Sequence, residues 1–276
     1  MKAHELGLLI GKARTTDTII ENRNTDFNSS FETNSLSKYA VVFHAETVSF
    51  TNDPLGSGAR VIKMSVPDTA TGPTENVRCQ LQPPANILPD MELWFGVAVL
   101  FPSGTGPTIG DAAFPSMPET GTSGWFNICQ LYQSNPESSA AIKLGFRIAE
   151  GDRLYWQRNA TYGSDRPWAG ELIERDKWYE FAWHVFTSAD ESLGYAELWM
   201  NDGNGWVQQT FFVGTSRQTT RVYMKTLDPI ATTNGPNRFD IQAYRKVGMF
   251  PFVVDTYFGP HKVGSSLAEV DPGMYT

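Results

Sequence analysis

Three observations predict an all-β fold, a sandwich or a barrel, in one large domain. From Tyr39 onward the chain reads as short runs rich in β-branched and aromatic residues, separated by turn formers. Its clearest hairpin signal is Tyr195 to Met200, then Asn201-Asp202-Gly203-Asn204-Gly205, then Trp206 to Val213, where Asp-Gly and Asn-Gly supply the positive φ angles of tight turns. No heptad or internal repeat runs through the chain, and the one helical reading is a short piece, Ser265 to Val270.

In chain order, residues 1–35 are polar and Asn/Thr-rich after a short apolar patch and read as an arm or packing extension; residues 36–276 form the domain. Candidate strands follow at Tyr39 to Phe43, Val48 to Thr51, Arg60 to Ser65, Val77 to Gln82 and Glu92 to Phe101. The last is almost continuously apolar, as a central strand covered on both faces would be. Pro102 to Gly124, dense in glycine and proline, reads as a long loop. Phe126 to Tyr132, Ala141 to Ala149, Arg153 to Arg158 and Lys177 to Thr187 come next, ahead of the hairpin. Arg221 to Lys225, Phe239 to Met249 and Val253 to Phe258 close the fold.

Composition narrows the function. A net charge of -8 and a pI near 5.0 argue against a general nucleic-acid binder, although a local basic groove remains compatible with them. No apolar run approaches the roughly 18 residues of a membrane span. Glu5 precedes the short run Leu6 to Ile10 where a secretory signal would carry positive charge, so the expectation is a soluble chain without an export address. Cys79 and Cys129 alternate toward the interior and read as small buried hydrophobes. No ligand spacing for a metal and no phosphate-binding glycine motif is present, so no cofactor or metal is expected.

The polar sides of three strands suggest a shared groove. Arg78 and Gln80 share one face of Val77 to Leu81, Gln130 and Tyr132 one face of Phe126 to Tyr132, and Tyr244, Lys246, Gly248 and Phe250 one face of Gln242 to Phe250. Arg, Gln, Tyr and Lys together suit an acidic or hydroxyl-rich chain. Tyr155, Trp156, Tyr162 and Trp168 offer rings for sugar stacking, and Trp168 stands in the exposed-looking stretch Asp165 to Gly170. Of the candidate proton carriers, His184 reads as an interior or groove-floor residue sharing its face with Glu180. His261 reads as a surface residue in a Gly259-Pro260-His261 turn, and His44 stands at a strand end.

Arg78-Cys79-Gln80-Leu81, Gln130-Leu131-Tyr132 and Tyr244-Arg245-Lys246-Val247-Gly248-Met249-Phe250 resemble, in order, the Arg-x-Glu-Leu, Gln-x-His and Tyr-x-Lys-x-Gly-x-Tyr strands of the jelly-roll polysaccharide lyases that act on alginate, heparin and glucuronan. The resemblance spans roughly residues 36 to 270. It implies a concanavalin-like jelly-roll β-sandwich with a concave groove, and a polysaccharide or cell-surface glycan as partner. Arg78, Gln80, Gln130, Tyr244 and Trp168 would bind the glycan. Tyr132 stands where the family has His and Phe250 where it has Tyr, so the usual acid/base pair is replaced. Two accounts follow: a groove that holds an acidic polysaccharide without cutting it, or a lyase in which Tyr132 moves both protons with Lys246 and Arg78 favouring its phenolate. A third places the jelly roll in a phage virion, its N-terminal arm docked to neighbouring subunits, with release from the particle carrying it to its target.

Overall fold

The computed structural model describes residues 27–29, 31–39, 41–43, 47–66, 77–83, 87–103, 125–132, 142–149, 153–159, 173–213, 217–226, 238–245 and 254–275. Among them the strands, in chain order, are Asn28–Ser29 (β1), Val41–Phe43 (β2), Val48–Asn52 (β3), Arg60–Val66 (β4), Val77–Gln82 (β5), Glu92–Leu100 (β6), Trp125–Tyr132 (β7), Ile142–Ala149 (β8) and Arg153–Asn159 (β9). They continue as Trp178–Phe186 (β10), Tyr195–Asn201 (β11), Trp206–Gln208 (β12), Phe211–Val213 (β13), Arg217–Thr219 (β14), Val222–Tyr223 (β15), Arg238–Arg245 (β16) and Val254–Gly264 (β17). One helix, Leu267–Val270 (α1), is capped by the Ser266 hydroxyl, which accepts from the Glu269 amide.

The strands form a jelly-roll sandwich of two antiparallel sheets. One has the order β2-β5-β16-β7-β8-β9; the other runs β12-β11-β10-β6-β17-β4-β3, with β1 added on β17 and β15 on β11, and β13 and β14 pair separately. Period-two alternation sends one side of each sheet inward. Leu93, Phe95, Val97 and Val99 of β6 and Phe181, Trp183 and Val185 of β10 meet Cys79, Leu81, Cys129, Leu131, Phe239 and Ile241 of the six-stranded sheet in one core. Phe95 stacks on Phe239 across the gap at 4.4 Å between ring centres. As its apolar run predicts, β6 is central, between β10 and β17, and is buried along nearly its whole length.

Cys79 and Cys129 are buried and free, and pair in register with Ala243 and Ile241 on opposite edges of β16. Two strand spacings, roughly 9–10 Å, separate them, too far for a disulfide. Burial pushes the Cys129 thiol up to about 12.

One expectation is overturned at β17, which does not end at Phe258 in a surface turn. The strand continues to Gly264, and its register shifts between Phe258 and His261, so Gly259 and Pro260 sit in an irregularity where proline's missing N–H costs no ladder bond. That shift turns His261 inward rather than to solvent. It is fully buried against Phe27, Tyr39 and Phe239, and the Tyr39 hydroxyl lies 3.4 Å from its Nδ1. Phe27 and Phe31, from the polar N-terminal stretch, belong to the core as well.

Backbones approach closely at two glycines. A Cβ on Gly96 of β6 would stand 1.9 Å from the Val270 carbonyl oxygen, and one on Gly145 of β8 would stand 1.9 Å from that of Phe126. The first lets α1 lie on the nine-stranded sheet. The second accommodates an irregular register of β7 around Ile128, within the sheet that carries the polar face.

Candidate functional site

The non-core side of the six-stranded sheet is assembled by alternation. On β16, Phe239, Ile241 and Ala243 enter the core, so Arg238, Asp240, Gln242 and Tyr244 take the other side. The register sets Gln242 beside Gln80, Tyr244 beside Arg78, and Asp240 beside Gln130. Lys143 of β8 pairs with Gln130 and lies between two core residues, Ile142 and Leu144, which places it on this side too. Segments far apart in sequence thus bring Arg78, Gln80, Gln130 and Tyr244 onto neighbouring strands, as the sequence predicts. Tyr132 ends β7 opposite Arg238. Its side chain lies outside the described residues, as do Lys246, Trp168, His44 and Tyr162 and the side chains of Tyr155 and Trp156.

Asp240 is the residue that sequence reasoning missed. Its carboxylate is wholly buried, accepts from Gln80 Nε2 at 2.6 Å and from Arg238 Nε at 3.1 Å, and is bonded by the Gln130 side chain. Burial raises its pKa to about 7 against the opposing pull of the Arg238 charge and the two amides. Arg-Phe-Asp-Ile-Gln-Ala-Tyr alternates strictly from Arg238, so extending the polar face back past Gln242 would have found it. Around it Gln80 Oε1 and both amide atoms of Gln242 are buried without a hydrogen-bond partner. The Arg78 guanidinium lies 5.8 Å from the centre of the half-buried Tyr244 ring. Among the described residues this face carries Arg78, Lys143 and Arg238 against one carboxylate, in a chain whose net charge is -8.

His184 and Glu180 lie elsewhere. Both are on the outer side of β10 in the nine-stranded sheet, because Phe181, Trp183 and Val185 claim the inner side; neither faces the six-stranded sheet. His184 Nδ1 is 2.7 Å from Glu197 Oε2 and Nε2 is 2.9 Å from Glu92 Oε1, with the Trp94 ring stacked on it at 4.3 Å. Arg221 Nε donates to the other Glu197 oxygen at 2.7 Å. The network ties β6, β10 and β11 to the segment leading into β15. Glu180 is buried and accepts from Asn201 and from the Met274 amide, and its burial raises its pKa. His184→Leu is expected to lower unfolding stability by about 1–3 kcal/mol, because the buried Glu197 loses a partner. Retention of an acidic glycan should not change, and denaturant unfolding together with affinity electrophoresis checks both halves.

No group of three or more His, Cys, Asp or Glu able to hold a metal occurs among the described residues. No helix among them is long and apolar enough to cross a membrane.

A family model described as polysaccharide lyase matches residues 23–251. No curated protein matches the chain. Among solved structures, the endo-β-1,4-glucuronan lyase of the fungus Trichoderma reesei aligns over 90% of this chain and 98% of its own, with 13% identity and a TM-score of 0.59. The catalytic domain of a glycoside hydrolase family 131 protein from Coprinopsis cinerea aligns over 87% and 85%, with 16% identity and a TM-score of 0.53. The PL-14 alginate lyase of Aplysia kurodai aligns over 87% and 99%, with 10% identity and a TM-score of 0.51. At these identities the likeness is one of fold.

Proposed function

The chain belongs to the polysaccharide lyase family, and from that premise we propose that the polar face of its six-stranded sheet recognises an acidic polysaccharide. One observation carries the reading: an acidic chain gathers Arg78, Lys143 and Arg238 on a single face together with the amides of Gln80, Gln130 and Gln242. Cations gathered on one face attract a polyanion, and the buried Gln80 and Gln130 amides, bonded to Asp240, brace the layer beneath them. The half-buried Tyr244 adds an apolar ring with a polar tip. A glycoside hydrolase reading calls for a pair of carboxyl groups across the scissile bond. Asp240 alone, buried beneath the face, does not supply such a pair among the described residues.

Cleavage by β-elimination is the second reading, favoured by family membership. The proton beside the uronate carboxylate is taken by a base, the C4–O bond breaks as the C4–C5 double bond forms, and the departing oxygen takes a proton. Arg238 and Gln130, both bonded to Asp240, would stabilise the carboxylate as charge builds on it, and Tyr132, the proton carrier of this reading, stands opposite Arg238 on the neighbouring strand.

Both readings are tested by incubating the protein with glucuronan, alginate and heparin, following ultraviolet absorbance of unsaturated product and retention in gels containing each polymer. Retention that weakens with salt is expected, and Arg78→Ala should loosen it about tenfold. Undiminished retention in that variant would remove the groove from this face. Absorbance that stays flat across pH while retention persists would leave binding without cleavage.

A further inference from the structure

The outer side of the nine-stranded sheet is divided. One half lies under the C-terminal segment, where Ala98, Leu100 and Trp178 pack with Met274. The other half carries side chains that neither the core nor the charged face of the opposite sheet uses, and among the described residues they remain within reach of solvent. Glu92 exposes 60% of its side chain and Tyr223 is 59% exposed, while Trp94, Tyr195, Trp199 and Arg221 are half-buried. The rings run as one track across neighbouring strands. Trp199 lies 6.3 Å from Trp94, which stacks on His184; His184 meets Tyr195 edge-on at 5.4 Å, and Tyr195 meets Tyr223 edge-on at 6.2 Å.

Surface carboxylates and guanidinium groups ordinarily keep their rotamer freedom, because ordering them costs entropy. Here both kinds are pinned. The Tyr195 hydroxyl donates to Glu92 Oε1 at 2.9 Å, and His184 Nε2 lies 2.9 Å from the same oxygen. Arg221 donates to Glu197 at 2.7 Å, is bonded to the Tyr223 side chain, and lies over the Tyr195 ring at 4.1 Å from its centre. Glu92 and Arg221 stand near enough for their charges to act on each other. The face thus offers a fixed acceptor beside a fixed donor, with aromatic rings on either side.

We propose that this outer face is a second glycan site, which takes a neutral, hydroxyl-rich polysaccharide. Adjacent hydroxyls of one sugar donate to a carboxylate and accept from a guanidinium, and the C–H side of the sugar ring rests on an aromatic side chain. Charge separates this site from the opposite sheet. Glu92 and Glu197 here surround one guanidinium and one imidazole, which leaves no surplus of positive charge whether or not the imidazole is protonated. A polyuronate gains nothing from such a face, whereas an uncharged chain loses nothing. The site is independent of the reading proposed for the six-stranded sheet.

The test is affinity electrophoresis of the whole chain in native gels containing hydroxyethylcellulose, laminarin or galactomannan, at low and high salt, for wild type, Tyr223→Ala, Glu92→Gln and Leu55→Ala. Retardation of wild type by at least one neutral polymer is expected, to the same extent at both salt concentrations. Tyr223→Ala should weaken it about tenfold through loss of a stacking ring, and Glu92→Gln, which keeps the shape but not the charge of the acceptor, about fivefold. Both residues are exposed, so unchanged circular dichroism is expected of each variant. Leu55→Ala removes an exposed apolar side chain from the turn after β3 and should leave retardation as it was. Wild type that moves unretarded through every neutral gel overturns the site, as does retardation that both Tyr223→Ala and Glu92→Gln preserve or that Leu55→Ala loses equally. None of these failures touches the acidic-glycan reading, which is judged separately in gels of alginate and glucuronan.

Discussion

Acidification from pH 6.5 to about 3 is expected to remove about 4–5 kcal/mol of stability through His261 alone. Burial lowers the pKa of this ring from 6.5 to about 3, so the folded protein holds it neutral where the unfolded chain would protonate it. The contribution is intact above pH 6.5 and is lost as pH falls toward 3, at about 1.4 kcal/mol for each pH unit between the two values. Asp240 acts in the opposite sense. Its pKa rises from 3.8 to about 7 on folding, so its ionisation cost is fully present above pH 7 and disappears as pH falls to 3.8. The two effects are similar in size, and wild type should show a flatter acid limb than either residue alone would give. Urea unfolding between pH 4 and 8 separates them. Asp240→Asn should become steeply acid-sensitive, and His261→Leu should gain stability as pH falls. Parallel profiles for wild type and His261→Leu would show that the ring titrates equally in the folded and unfolded chain.

A single methyl group on Gly96 is expected to cost about 3 kcal/mol. Its Cβ would stand 1.9 Å from the Val270 carbonyl oxygen and 2.8 Å from that carbon. These are backbone atoms of the last residue of α1, so no rotamer change relieves the clash, and overpacking of this kind typically costs 1–3 kcal/mol or more. The helix cannot simply lift away, because the segment around it is tied down at several points. Trp206 Nε1 donates to Asp271, the Met274 amide to Glu180 and the Lys262 ammonium to the Asp271 carbonyl. Gly96→Ala should lower the denaturation midpoint and expose the C-terminal segment to protease. In a chain truncated before Ser265, the same substitution should cost much less, a non-additivity that marks direct contact. Equal cost in both backgrounds would place the strain elsewhere.

Much of the fold is legible along the chain because alternation is a local property. The polar side of β5, the inward cysteines, the continuous apolar run of β6 and the Asp-Gly and Asn-Gly turn after β11 all follow from spacing of two and from turn chemistry. Three readings needed the third dimension. His261 follows Gly-Pro, which in sequence looks like a turn; a register shift within β17 instead rotates the ring into the core. His184 and Glu180 alternate with apolar residues along their strand just as the polar residues of the groove sheet do, and nothing local says which sheet that strand joins. Asp240 lies on a face already recognised as polar, but its significance comes from Gln80, 160 positions away, meeting it at 2.6 Å.

By itself the sequence determined which side chains of each strand face together, since that depends only on the pleat of an extended backbone. Only the tertiary structure decided which strands are neighbours, which of them carry the charged face, and which polar groups lose water on assembly. Those outcomes depend on loop closure over long chain separations and on burial between sheets, and neither leaves a signal in a window of a few residues.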